Sequence, residues 1–107
     1  MSEYRIDSFS IRQWSSRHMP NKGVAMGGIY LFEGDRYCGD IYFYAAGTDL
    51  KRPSLHESTG RIHLHFFITQ YAMILDMLRN EEEIVLYFDS ATDAGLHSGR
   101  DPFLEDN

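Results

Sequence analysis

The stretch GRIHLHFFI, residues 60–68, carries His63 and His65 two positions apart in an otherwise apolar run. Side chains at i and i+2 of a strand leave from the same face, so these two imidazoles can meet one ion. A zinc or iron site then needs a third ligand and usually a fourth. His56, Glu57 and His97 are the recruits, each from a loop or the tail. The competing reading sets both rings beside Arg61 on the less apolar face of an amphipathic strand. With no third and fourth donor adjacent, that second reading is preferred, and no metal or other cofactor is expected.

The remaining chemical signals are weaker. An H-x-H strand resembles that of the cupins, whose pattern adds a glutamate a few residues on; here Thr69 and Gln70 stand in that region. Gly27–Gly28 belongs to neither a dinucleotide fingerprint nor a Walker loop, and reads as a pair of strand glycines that leave room for large neighbours. No G-x-S-x-G elbow occurs, and Cys38 has no neighbouring base in sequence, so it reads as a small core filler. Glu81, Glu82 and Glu83 follow a helix, where solvated charge is normal. Asp40 lies within an apolar strand, where partial cover would raise its pKa unless an arginine pairs with it.

The elements that must position these residues follow from periodicity. Residues 4–14 read as a first strand whose apolar phase changes at Asp7–Ser8, which suggests a bulge. Residues 15–23 form a loop with Pro20, Asn21 and Gly23. VAMGGIYLFEGDRYCGDIYFYA then reads as a hairpin about Gly34–Asp35. A two-residue turn sets Leu31 opposite Cys38 and Ile29 opposite Asp40 on one face, and Phe32 opposite Tyr37 and Gly28 opposite Ile41 on the other. The second face is predicted to be the core. Ile29, Leu31, Tyr42 and Tyr44 on the first face are too apolar for water and are predicted to form an interface.

A polar connection over 46–59 leads to a strand over 61–68, with Ile62, Leu64, Phe66 and Ile68 on one side and Arg61, His63, His65 and Phe67 on the other. Residues 69–80 switch to helical period, with Tyr71, Ile74, Leu75 and Leu78 on one stripe, widened by Met73 and Met77. Thr69 is the predicted N-cap and Asn80 the left-handed terminus. EIVLYFD, 83–89, is a last strand that needs cover on both sides. The fold predicted is α+β: an antiparallel four-stranded meander, one amphipathic helix packed on its apolar face, and a fifth strand after the helix, paired within the chain or with a second subunit. Residues 1–89 form the single domain, and 90–107 a polar tail that is partly disordered. The order of elements is similar to the β-β-β-β-α unit of single-strand nucleic-acid binders of the PUR and Whirly type. That resemblance implies an aromatic platform of Tyr30, Tyr42, Tyr44 and Phe67.

Composition bounds the function. The chain has 107 residues and a formal charge of −6, which opposes nonspecific attraction to nucleic acid or an anionic membrane. Its one cysteine permits no intrachain disulfide and suits a reducing compartment. The N-terminus has no secretory pattern, and no apolar run reaches the length of a membrane span. A cytoplasmic location is expected. The preferred function is a non-enzymatic binding or assembly module acting as a homodimer or larger homo-oligomer, with nucleic acid disfavoured. The alternatives are a small metal-dependent enzyme using His63 and His65, and a single-stranded nucleic-acid binder.

Overall fold

Asp7 divides the first predicted strand between two sheets. The computed structural model describes residues 1–19 and 23–99, and in it β1 (Ser2–Ile6) and β2 (Ser8–His18) pair with different partners. The phase change at Asp7–Ser8 is therefore a crossing between sheets and not a bulge. The crossing is pinned from both sides: Asp7 N–H donates to the Phe32 carbonyl at 3.0 Å, and Gly34 N–H donates to the Asp7 carboxylate at 2.8 Å.

The further elements are β3 (Val24–Glu33), β4 (Arg36–Tyr44), β5 (Ser54–His56), β6 (Arg61–Phe67), a single 3₁₀ turn (Ile68–Gln70), α1 (Tyr71–Asn80), β7 (Ile84–Ser90) and β8 (Asp93–His97). They form a five-stranded sheet in the order β2-β3-β4-β6-β5 and a three-stranded sheet in the order β1-β7-β8. The α+β class holds, but eight strands in two sheets replace the predicted meander and fifth strand. The break in the meander is β6, which lies parallel to β4, with Ile41 beside Leu64. A parallel neighbour cannot follow through a tight turn. Residues 45–60 are long because they carry the chain past the position of β6, and β5 then pairs antiparallel with its outer side.

The hairpin register corrects the predicted faces. Glu33 pairs with Arg36 and Phe32 with Tyr37, but the register then shifts, so that Leu31 pairs with Gly39 and Ile29 with Ile41. Cys38 is the extra residue. One inserted residue exchanges the faces of everything beyond it. Ile29 and Leu31 accordingly join Ile41 and Phe43 in the core, all fully buried, while Tyr30 and Phe32 turn outward. The predicted interface of Ile29, Leu31, Tyr42 and Tyr44 is thus no single face, since Tyr42 stands on the side opposite to Ile29 and Leu31. Tyr44 is on Tyr42's side but has no exposed surface.

The three-stranded sheet covers the inner face of the larger one. Leu86 and Ile84 of β7 are buried in the same cluster as Ile29, Leu31, Ile41, Phe43, Ile62 and Leu64. A Cβ at Gly39 would overlap the carbonyl oxygen of Ile62, its neighbour on β6, and sit 2.9 Å from Leu86 of the other layer. The helix adds Ile74 and Leu78 to this core, and Tyr71 meets Phe43 edge-on at 5.0 Å, while Met73 is exposed. The helix does not cap with Thr69: its N-cap is Gln70, without a side-chain bond. Asn80 is the last helical residue, bonded to Asp76, and the left-handed residue is Glu83 at φ 54. β7 finds both neighbours within the chain, so no second subunit is needed to complete it. β8 lies in the segment predicted as tail, and residues 100–107 of that tail lie outside the described residues. Among the described residues no helix is long and apolar enough to cross a membrane.

Candidate binding face

With Ile29, Leu31, Ile41, Phe43, Ile62 and Leu64 turned inward, alternation sends Tyr30, Tyr42, His63 and His65 to the outer side of the five-stranded sheet. On this outer face Trp14 of β2, Tyr42 of β4 and His65 of β6 stand in a row. The indole and phenol rings are 5.9 Å apart at 19°, and Tyr42 and His65 are 6.2 Å apart at 20°. Trp14 reaches Tyr42 across β3 because Gly28 stands between them, pairing with Arg12 on one side and Tyr42 on the other. A Cβ at Gly28 would come within 2.8 Å of the indole. The glycine reading from sequence thus has a specific object: the large neighbour is Trp14.

A second row crosses the sheet further along the strands. Arg12 lies 5.2 Å over the Tyr30 ring, Tyr30 meets Tyr37 edge-on at 5.7 Å, and Arg61 lies 4.3 Å over Tyr37. Arg17 lies 4.5 Å over Trp14. Stacking of this kind holds a guanidinium in place while leaving its edge to bond an anion. Among the described residues none of these three arginines forms an ion pair; the only one found joins His63 to Asp40.

Between the rows lies a buried polar group. Asp40, 1% exposed, accepts from His63 Nδ1 at 2.7 Å and from the Tyr37 hydroxyl. The expected arginine partner is replaced by a histidine and a tyrosine. Burial, then the hydrogen bond to Asp40, drives the Tyr37 pKa well above the ordinary phenol value, and burial with the Asp40 charge does the same for Tyr42. Burial pulls His65 below its ordinary 6.5; Asp40 opposes this, and Lys51 and His63 reinforce it. His65 Nδ1 is hydrogen-bonded to Tyr44 Oη at 3.2 Å. A carboxylate-held imidazole is the arrangement of a general base, but Asp40, Tyr37 and His63 also form a satisfied network that stiffens the sheet.

No family model, curated protein or solved structure matches this chain. The site therefore stands on geometry alone.

That geometry separates the four histidines considered as ligands. His63 and His65 share the outer face. His56 belongs to β5 and bonds the Thr59 and Ser58 hydroxyls. His97 is in the other sheet, paired with Val85. Among the described residues no group of three or more His, Cys, Asp or Glu side chains is placed to hold one ion. His97, whose Nδ1 is buried without a partner among the described residues, lines a cleft of about 400 Å³ with Glu3, Arg5, Glu33 and Glu83. Cys38 is buried, and burial raises its pKa, which disfavours the reactive thiolate.

Charge is divided between the two sheets. The strands of the five-stranded sheet carry Arg12, Arg17, Arg36 and Arg61 against Glu33 and the buried Asp40, and their connections carry Lys51 and Arg52 against Asp35, Asp49 and Glu57. The other strands, the helix and the turn after it carry Glu3, Asp76, Glu81, Glu82, Glu83, Asp89 and Asp93 against Arg5 and Arg79. The net charge of the chain does not describe this face. Trp14, Arg12, Arg17 and Tyr37 are the site residues that sequence reasoning missed. Arg12 and Trp14 do share one phase of β2, but which phase faces outward depends on the split at Asp7.

Proposed function

We propose that the protein is a non-enzymatic binding module whose recognition surface is the outer face of the five-stranded sheet. The observation that carries this reading is the Trp14–Tyr42–His65 row flanked by guanidiniums without carboxylate partners. Rings give a planar ligand a stacking surface, and unpaired cations favour a ligand with negative charge. Self-association belongs to the proposal through β2, the long outermost strand of this sheet, whose outer edge pairs with no strand among the described residues. A mass near 12.4 kDa at all concentrations in light scattering would remove that component and leave the binding face intact.

Trp14 is the only tryptophan, so its fluorescence reports this face alone. Titration with adenosine monophosphate, adenosine and ribose 5-phosphate separates ring from charge. The expected order of quenching is the nucleotide first, then adenosine, with ribose 5-phosphate weakest. Emission indifferent to all three would overturn the proposal.

A further inference from the structure

We infer that the occupant of this face is single-stranded RNA, two or three nucleotides of which lie across β2, β3, β4 and β6; this rests on the reading of the face as a binding surface. Trp14, Tyr42 and His65 come from three different strands and form a continuous run of rings with nearly parallel planes. Successive bases stack on such a run whatever their identity, because every base has a π-face. A duplex cannot use it, since its bases are already stacked inside the helix.

The cations are set beside the ring row. Arg17 is at Trp14 itself, and Arg12 is two residues away on β2, about 7 Å at the ~3.3 Å rise of a strand. Arg61 ends the second row on β6. That offset matches the separation of a base from its own phosphate, and the guanidinium fork fits phosphate oxygens. Between the two rows on β6 stands His63, two residues from Arg61 and two from His65. Its Nδ1 is committed to Asp40, which leaves Nε2 to meet a hydroxyl where the sugar must lie. A ribose 2′-OH donates or accepts there, and deoxyribose offers nothing. An acidic peptide would satisfy the arginines but leave the rings and His63 unused.

The test is fluorescence anisotropy with a labelled mixed-sequence single-stranded RNA, compared with DNA of the same sequence, the RNA duplex and a polyglutamate peptide. RNA is expected to bind most tightly, and about tenfold or more tighter than adenosine monophosphate quenches Trp14. Three phosphate contacts give a slope of log affinity against log salt of about −2, which falls to about −0.7 in Arg12→Gln/Arg17→Gln. Tyr42→Leu is expected to weaken RNA by about tenfold, and His63→Phe to narrow the preference for RNA over DNA. Both arginines are exposed, so their double variant cannot fail merely by unfolding. Equal binding of DNA or duplex, tighter binding of polyglutamate, or a salt slope unchanged in the double variant would each overturn the inference. Quenching by the nucleotide with no tighter binding of RNA would overturn it while sparing the proposed function; no response to either would sink both.

Discussion

The two faces of the five-stranded sheet are made from the same strands and differ in almost every physical respect. Inside, Ile29, Leu31, Ile41, Phe43, Ile62 and Leu64 form a dry layer with no charged group. Outside, Trp14, Tyr30, Tyr37, Tyr42, His63 and His65 are only partly covered, and a single carboxylate is fully buried among them. Alternation alone asks for small polar residues on an outer face. Large rings left there forgo the ~25 cal/mol per Å² that full burial would contribute. The inner face holds the fold together, and the outer face retains surface that stability does not use.

If that division is right, the inner face must be the more sensitive. Gly39→Ala drives a methyl into the Ile62 carbonyl and toward Leu86, and urea unfolding should show a loss of about 3 kcal/mol or more. A smaller loss would mean that β4 shifts to admit the methyl between Ile62 and Leu86, and that the inner face is packed less tightly than the division requires. Asp40 is the exception on the outer face. Asp40→Ala strands the Tyr37 hydroxyl and His63 Nδ1 and should cost about 1–3 kcal/mol, with Asp40→Asn milder because one acceptor remains. Equal losses in the two variants would show that packing, and not the hydrogen bonds, matters there.

The outer face also responds to pH. His65 has its pKa lowered in the folded chain, so the unfolded chain takes up a proton first as pH falls. Its contribution to stability is complete above the ordinary value of 6.5 and is lost progressively below it. Stability measured between neutral pH and mild acid should therefore decline, and His65→Phe should flatten that decline. At the alkaline end the raised Tyr37 and Tyr42 work in the opposite direction. Stability falls above the ordinary phenol value of 10.0, where the unfolded chain ionises and the folded chain resists. The smallest effect belongs to Arg12→Gln/Arg17→Gln, expected within about 0.5 kcal/mol of the parent by urea unfolding. A larger loss would make these arginines structural.

Much of the local structure is legible in sequence. The alternation of residues 61–67 places Ile62 and Leu64 inside and His63 and His65 outside, as observed, and the Gly34–Asp35 turn and the 71–80 helix follow from their patterns. Two features escape local pattern. Cys38 looks like any other strand residue, yet as the extra residue it decides which side of the hairpin faces the core. β8 contains only Ala94 and Leu96 as apolar residues, so its pairing with β7 depends on the turn at 91–92 and not on hydrophobicity. The site divides in the same way. Its histidine pair is readable, whereas Tyr44 has no exposed surface to offer the aromatic platform expected from sequence, and the meeting of Trp14 with Tyr42 over Gly28 requires the register of three strands at once.

The central claim is that ligands engage the outer face of the five-stranded sheet, and amide chemical-shift mapping during titration with adenosine monophosphate tests it most directly. Perturbations are expected to concentrate at Trp14, Gly28, Tyr42 and His65, with Leu86 and the three-stranded sheet unmoved. Perturbations gathered instead around Glu3, Glu83 and His97, in the cleft of the other sheet, would contradict it.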